Sequence, residues 1–339
     1  MIDRRSLLSL GLGAGTAGAL GVPAFAQQMV QQQPYRILML TFRGETDVER
    51  GFRSFFDAAG VKVEFMTRDV DRNAARVKPI LAEVLPTFKP DLIYTYGTPN
   101  TLAVAGPYDA PPDAPFVRDI PVVFALVAAP VRSKIAASVA KPGRNVTGAV
   151  HVVPTDVQMR AMQTYKPFSK VGVIYSPNES NSLVVVNEMQ AFCEANNLTL
   201  FRQPLAMSGN LPTGEGVEQF VRDLRQKGAE WLYLPPDTFL ATVFNRIAPV
   251  AIEVGLPTFG STEFFLREGD GLVGLVSRYY SVGQLAASKA VEILVQKRAP
   301  GDIPIETLKR FALIINMKVA KALGVYPPIV MLNYAEVLS

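Results

Sequence analysis

From Tyr35 onward, short and almost continuous apolar runs alternate with longer stretches whose apolar residues recur every three or four positions. YRILMLTF (35–42), VKVEFMT (61–67), DLIYTYG (91–97), PVVFALV (121–127) and GRNVTGAV (143–150) predict strands. Between them, VERGFRSFFDAAG (48–60) and AARVKPILAEVLPTF (74–88) predict helices, the first ending at Gly60. Runs that are apolar at successive positions suit strands covered on both faces, which is the habit of a parallel sheet with crossover helices. The pattern then restarts. TDVQMRAMQTY (155–165), NSLVVVNEMQAFCEANN (181–197), GVEQFVRDLRQKG (216–228) and TFLATVFNRIAPVAIEVG (238–255) read as helices. KVGVIYS (170–176), LTLFRQPL (198–205), WLYLPP (231–236) and LPTFGS (256–261) read as strands. From GLVGLVSRYY (271–280) the chain is expected to cross back for the helix SVGQLAASKAVEILVQK (281–297), and RFALIINMKVAKALG (310–324) adds a last strand and helix. The fold class is therefore α/β, with two doubly wound parallel-sheet lobes joined by a hinge of several crossings. The expected boundaries are 35–150 plus about 277–305 for lobe 1, and 151–276 plus about 306–339 for lobe 2.

The residues before Tyr35 break this rhythm. Gly13 to Gly18 spell G-x-G-x-x-G, the spacing of a dinucleotide-binding loop. That reading needs a preceding strand and an acidic residue ending the next one, and the acidic residue is missing. Instead Arg4-Arg5 precedes an apolar, small-residue segment that ends in Ala24-Phe25-Ala26, the layout of a signal peptide cleaved after Ala26. Residues 1–26 then form an export signal, of the general or the twin-arginine kind, and 27–34 a glutamine-rich tether. The predicted location is the periplasm. Cys193 is the sole cysteine, so no internal disulfide is possible, and its helical spacing with Met189 and Phe192 marks a buried thiol.

Charge and chemistry narrow the function. The formal net charge is +4, from 34 Lys and Arg against 30 Asp and Glu, scattered without a basic run or an aromatic-interleaved patch. Nucleic acid is therefore not an expected partner. The one histidine, His151, cannot build a multi-histidine zinc site, and no G-x-S-x-G elbow or Walker A loop is present. The expectation is a protein that is not an enzyme and takes no cofactor and no metal. A repressor with similar lobes needs an N-terminal helix-turn-helix, where this chain carries its export segment.

KPDLIYTYGTPNTLA, IPVVFALVAAPV, KPGRNVTGAV, VGVIYSPNESNS, LYLPPDT, LPTFGSTE, YYSVGQLAA and FALIINMKVAKALGV, in this order, carry a resemblance. The chain resembles the ABC transporter substrate-binding family whose better-known members bind tryptophan, tyrosine or phenylalanine. The resemblance runs from about Tyr35 to near the C-terminus. It implies a type I periplasmic binding fold and a monomer that closes on a small solute. Delivery is then to an inner-membrane ABC permease whose ATPase is a separate chain. A ligand-presenting sensor for a membrane receptor, or a secreted carboxylate-based hydrolase, are the alternatives.

Three of these motifs fall where a strand gives way to a helix, and free N–H groups at such a start favour an anion. Thr98 is expected to cap a helix beginning at Pro99; Asn181 and Ser182 are expected to cap the next and to donate to a ligand oxygen. Phe42, Tyr175, Phe264, Tyr279 and Tyr280 are candidate aromatic walls. Asp237 and Glu45 are candidates for receiving an ammonium, Asp237 alternatively capping its own helix. Where many relatives of that family carry Asp, this chain has Ala129, Thr262 (beside Glu263) and Arg278. Fewer carboxylates and an added guanidinium at Arg278 favour an anionic ligand: an aromatic amino acid or an aromatic or other organic acid.

Overall fold

The computed structural model describes residues 33–339, so the expected export segment, 1–26, and most of the expected tether, 27–34, lie outside the described residues. The first apolar run forms β1 (Tyr35–Thr41), whose last five residues are buried. Helix α1 (Asp47–Ala58) follows, opened by a capping box in which Thr46 and Glu49 satisfy each other's backbone N–H. Then come β2 (Val63–Asp69), α2 (Val77–Phe88), β3 (Leu92–Tyr96), α3 (Gly97–Ala105), β4 (Val122–Val127) and β5 (Val146–Val150). The chain crosses to the second lobe with α4 (Thr155–Tyr165), β6 (Lys170–Tyr175), α5 (Ser180–Ala195) and β7 (Thr199–Pro204). A small hairpin, β8 (Ala206–Ser208) and β9 (Leu211–Thr213), precedes α6 (Val217–Gln226), β10 (Trp231–Leu234), α7 (Thr238–Glu253) and β11 (Thr258–Gly260). After α8 (Phe264–Arg267) and β12 (Val273–Val276) the chain returns for α9 (Tyr279–Leu294) and β13 (Glu306–Thr307). It ends in the second lobe with β14 (Ala312–Asn316), α10 (Met317–Leu323), α11 (Ile329–Leu332) and β15 (Glu336–Leu338).

Besides the β8–β9 hairpin, two large sheets result, in the orders β13-β5-β4-β3-β1-β2 and β15-β14-β12-β11-β10-β6-β7. Every pairing in the first is parallel. In the second, β12 and β14 run antiparallel, a departure from the all-parallel expectation. Each sheet is buried on both faces, by Phe52, Tyr94 and α9 residues on one side of the first and by Leu38, Phe88 and Phe124 on the other. Trp231 and Tyr233 cover one face of the second, Leu232 and Phe244 the other. Because β13 still pairs with β5, the third crossing lies between Thr307 and Ala312. The helix expected to begin at Pro99 begins two residues earlier, at Gly97, with Tyr96 as its N-cap.

In both sheets the order reverses once along the chain, between β1 and β3 and again between β6 and β10. At such a point the helices that follow the two strands leave toward opposite faces and open a crevice beyond the strand ends. Lobe 1 is further fixed by α1 against α9, which approach so closely that only glycine fits. A Cβ on Gly51 would lie 2.0 Å from the Tyr280 carbonyl oxygen, and one on Gly283 would lie 2.0 Å from that of Val48. The obstacle is backbone, so Gly283→Ala is expected to lower stability by about 3 kcal/mol, the upper end of overpacking costs. Gly172→Ala meets only the ends of the Leu224 side chain and is expected to cost less. Urea unfolding of the two variants reads the difference, and equal midpoints would remove the steric account of the α1–α9 contact.

Candidate functional site

The two reversal points face one another across a cavity, the concave setting usual for small-molecule sites. From lobe 1 come Phe42 and Arg43 beyond β1, Gly97 and Thr98 opening α3, and Leu126 on β4. From lobe 2 come Asn181 in α5, Asp237 and Thr238 opening α7, and Thr262. His151 and Tyr279 enter at two of the crossings.

The lobe 1 wall is aromatic and cationic. The rings of Phe42 and Tyr96 stack with centroids 5.8 Å apart and planes 15° from parallel, a preorganised flat face. Helix α3 starts with no side-chain cap, which leaves its positive end open to the cavity. Arg43 is almost wholly buried; its guanidinium lies 4.1 Å from the Phe264 ring centroid and 3.2 Å from Glu268, both in lobe 2. Its Nε has no hydrogen-bond partner among the described residues. Arg72 lines the same side on a left-handed turn (φ 59°). Leu126 is also left-handed (φ 60°), where the register of β4 against β5 slips, and this irregularity sits at the cavity wall.

The lobe 2 wall is organised by carboxylates. Asp237 is 4% exposed and accepts four hydrogen bonds: from Ser176 N (2.6 Å), Ser176 Oγ (2.8 Å), Ser182 Oγ (2.7 Å) and Leu240 N (2.8 Å). Its acceptor capacity is filled by the protein. Glu179 caps the same helix by accepting from Thr238 N and Thr238 Oγ1. Burial, then the neighbouring charge of Asp237, pushes the Glu179 carboxyl well above the ordinary range. The lobes also meet at Ser133 Oγ and Ser180 Oγ, 2.8 Å apart.

A family model described as ABC transporter substrate binding protein matches residues 48–338. The chain belongs to that family. It is 29% identical over 275 residues, covering 80% of this chain and 73% of the relative, to a tyrosine-binding protein of Clostridioides difficile strain R20291. Its fold is that of an ABC domain from Streptococcus pneumonia solved with L-Trp: TM-score 0.76, 21% identity, 90% of this chain and 100% of the other covered. A solute-binding protein from R. palustris solved with benzoate superposes more loosely, with TM-score 0.56, 12% identity and coverage of 86% and 85%.

In this substrate-binding protein the sequence candidates separate into two groups. Phe42, Thr98, Asn181, Asp237, Thr262 and Tyr279 line the cavity, as does Phe264. Five others do not. Ser182 is buried and spent on Asp237. Tyr175 packs in the second lobe's core with Arg202 5.8 Å from its ring centroid. Arg278 pairs with Glu336 and lies 3.7 Å from Glu263. Glu263 is buried, paired with Arg267, and accepts the backbone N–H of Tyr279 at the start of α9. Glu45 is 3.5 Å from Arg53 and lines, with Glu263, a second, charged recess beside the cavity. Tyr280 is exposed and bonds Ser54. None of Thr98, Asn181 and Ser182 caps its helix: Tyr96 and Glu179 are the N-caps of α3 and α5. Asp237 does cap α7. Arg43, Arg72 and Tyr96 escaped the sequence reading although each sits at or just beyond the C-terminal end of a strand near the reversal point, the one place where topology puts ligand contacts.

His151 is buried, its Nδ1 without a partner among the described residues, and its ring meets that of Tyr279 edge-on at 6.1 Å. Burial pushes its pKa down to about 4. The unfolded chain's histidine protonates near pH 6.5, so between about 6.5 and 4 the unfolded state binds a proton that the folded state refuses. Stability from this group is therefore full at neutral pH and is lost as pH falls, by up to about 3 kcal/mol. Comparing wild type with His151→Gln at pH 7 and pH 4.5 isolates it: the wild type should lose about 2–3 kcal/mol relative to the variant. A difference that does not change with pH would mean the imidazole is not held neutral.

Proposed function

We propose that this chain is an exported receptor that closes its lobes on a small carboxylate-bearing aromatic solute, an aromatic amino acid or aromatic acid, and hands it to an ABC permease driven by a separate ATPase. The observation that carries this reading is the pairing of the two reversal points across one cavity, with a stacked aromatic pair and an uncapped helix start beside Arg43. The ring of such a solute lies against Phe42 and Tyr96, and its carboxylate meets the α3 N–H groups and the guanidinium. The ligands named for the relatives described above, tyrosine, tryptophan and benzoate, share a flat ring and a carboxylate.

Closure follows from contacts on both sides. A ligand shifts an open–closed equilibrium only through interactions it makes in one state and not in the other. Arg43 and Phe42 belong to one lobe, Thr238 and Thr262 to the other, so a solute touching both favours the closed form. Binding is the whole event; the solute leaves unchanged.

Arg278, which the sequence offered as the anion's partner, is committed to Glu336 and Glu263, and Arg43 replaces it. A panel of L-tyrosine, L-tryptophan, L-phenylalanine, benzoate, glucose and an aliphatic diamine, read by thermal shift, tests the reading. A true ligand at about a hundred times its Kd stabilises by roughly 2.7 kcal/mol, enough for a clear shift. Stabilisation by the aromatic carboxylates is expected. Calorimetry should then show Arg43→Ala weakening binding tenfold or more, while Arg278→Ala stays within about threefold. A response to glucose or the diamine alone would overturn the reading.

A further inference from the structure

Asn181 is 3% exposed and lines the cavity from the first turn of α5. Its amide cannot be turned round. Nδ2 donates to the Pro236 carbonyl oxygen at 2.6 Å and to Glu179 Oε1 at 3.0 Å. A carbonyl oxygen only accepts, so the group facing Pro236 must be the NH₂. That leaves Oδ1, which has no hydrogen-bond partner among the described residues. A buried acceptor without a donor costs roughly 1–3 kcal/mol, and a site can use that cost to select what completes it.

The polarity of the cavity is thus the reverse of the sequence expectation at this point, where Asn181 was to donate to a ligand oxygen. Lobe 1 offers donors, in Arg43, Arg72 and the α3 start. Lobe 2 offers the unfilled Asn181 oxygen, flanked by the carboxylates of Glu179 and Asp237, the latter already saturated. Resting on the aromatic-carboxylate reading above, we infer that Asn181 is a specificity-determining residue: its Oδ1 takes a hydrogen bond from an N–H or O–H donor on the solute and discriminates against plain aromatic acids that lack one. The adjoining charge of Asp237 favours a cationic donor over a neutral one.

Three probes differing by one group decide it: 3-phenylpropionate, L-phenylalanine, which adds an ammonium, and 3-(4-hydroxyphenyl)propionate, which adds a ring hydroxyl. Calorimetry on the wild type should show one added donor raising affinity tenfold or more over 3-phenylpropionate. A gain with L-phenylalanine makes the ammonium the donor; a gain with the phenol makes it the ring hydroxyl. In Asn181→Leu that gain should shrink to within about threefold, the ratio being read in a sample whose melting transition shows that it is folded. The wild-type ratios stand on their own should the variant not fold. Equal affinity for all three probes in the wild type would overturn the inference and leave the aromatic-carboxylate reading standing, as would a gain that survives in Asn181→Leu. Failure of all three to bind would sink both.

Discussion

One carboxylate holds the lobe 2 wall together. Asp237 lies at the start of α7, yet two of its four hydrogen bonds come from Ser176 at the end of β6 and one from Ser182 in α5. It therefore ties the two arms of the β6–β10 reversal into one unit. Such a charge is tolerable in the interior only because every lone pair is met, and because it lies on the positive end of a helix. Glu179 repeats the device a few residues away, capping α7 from α5. The positive helix end that an anionic solute would use in lobe 2 is thus occupied by the protein's own carboxyl groups. In lobe 1 the equivalent helix start at Gly97 is left uncapped.

That asymmetry gives the cavity a direction. A solute with one negative end is oriented by the lobes before any specific side chain is considered, toward Arg43 and away from Asp237. Two of the contacts that join the lobes, Arg43 with Glu268 and Ser133 with Ser180, lie beside the same cavity. Arg43 therefore belongs both to the cavity and to the interface, and under the proposed function one guanidinium would couple closure to the charge of the solute.

Much of the fold was legible in the sequence because burial on both faces of a sheet writes itself as uninterrupted apolar runs; YRILMLTF and PVVFALV announce β1 and β4 directly. Pieces stabilised only by distant partners left no local trace. The two-residue β13 exists because β5 is there to pair with it, and the antiparallel pairing of β14 with β12 depends on a chain return that no periodicity records. For the site, topology made the strand ends visible, so Phe42, Thr98 and Asp237 stood out. What could not be read was which polar groups the protein satisfies internally. Ser182, Arg278 and Glu263 have the chemistry of ligand contacts but are consumed by Asp237, Glu336 and the α9 backbone. Asn181 has the same chemistry and is half consumed, and only the placement of Pro236 tells donor from acceptor.

The glycine contact between α1 and α9 has a thermodynamic consequence for recognition. Because backbone meets backbone at Gly51 and Gly283, α9 has no freedom to slide or rotate, and Tyr279 at its first turn is fixed before any solute arrives. Immobilising a side chain on binding ordinarily costs about 0.5–1.5 kcal/mol each. For Tyr279 that entropy is surrendered during folding, so this ring can meet a solute without that cost.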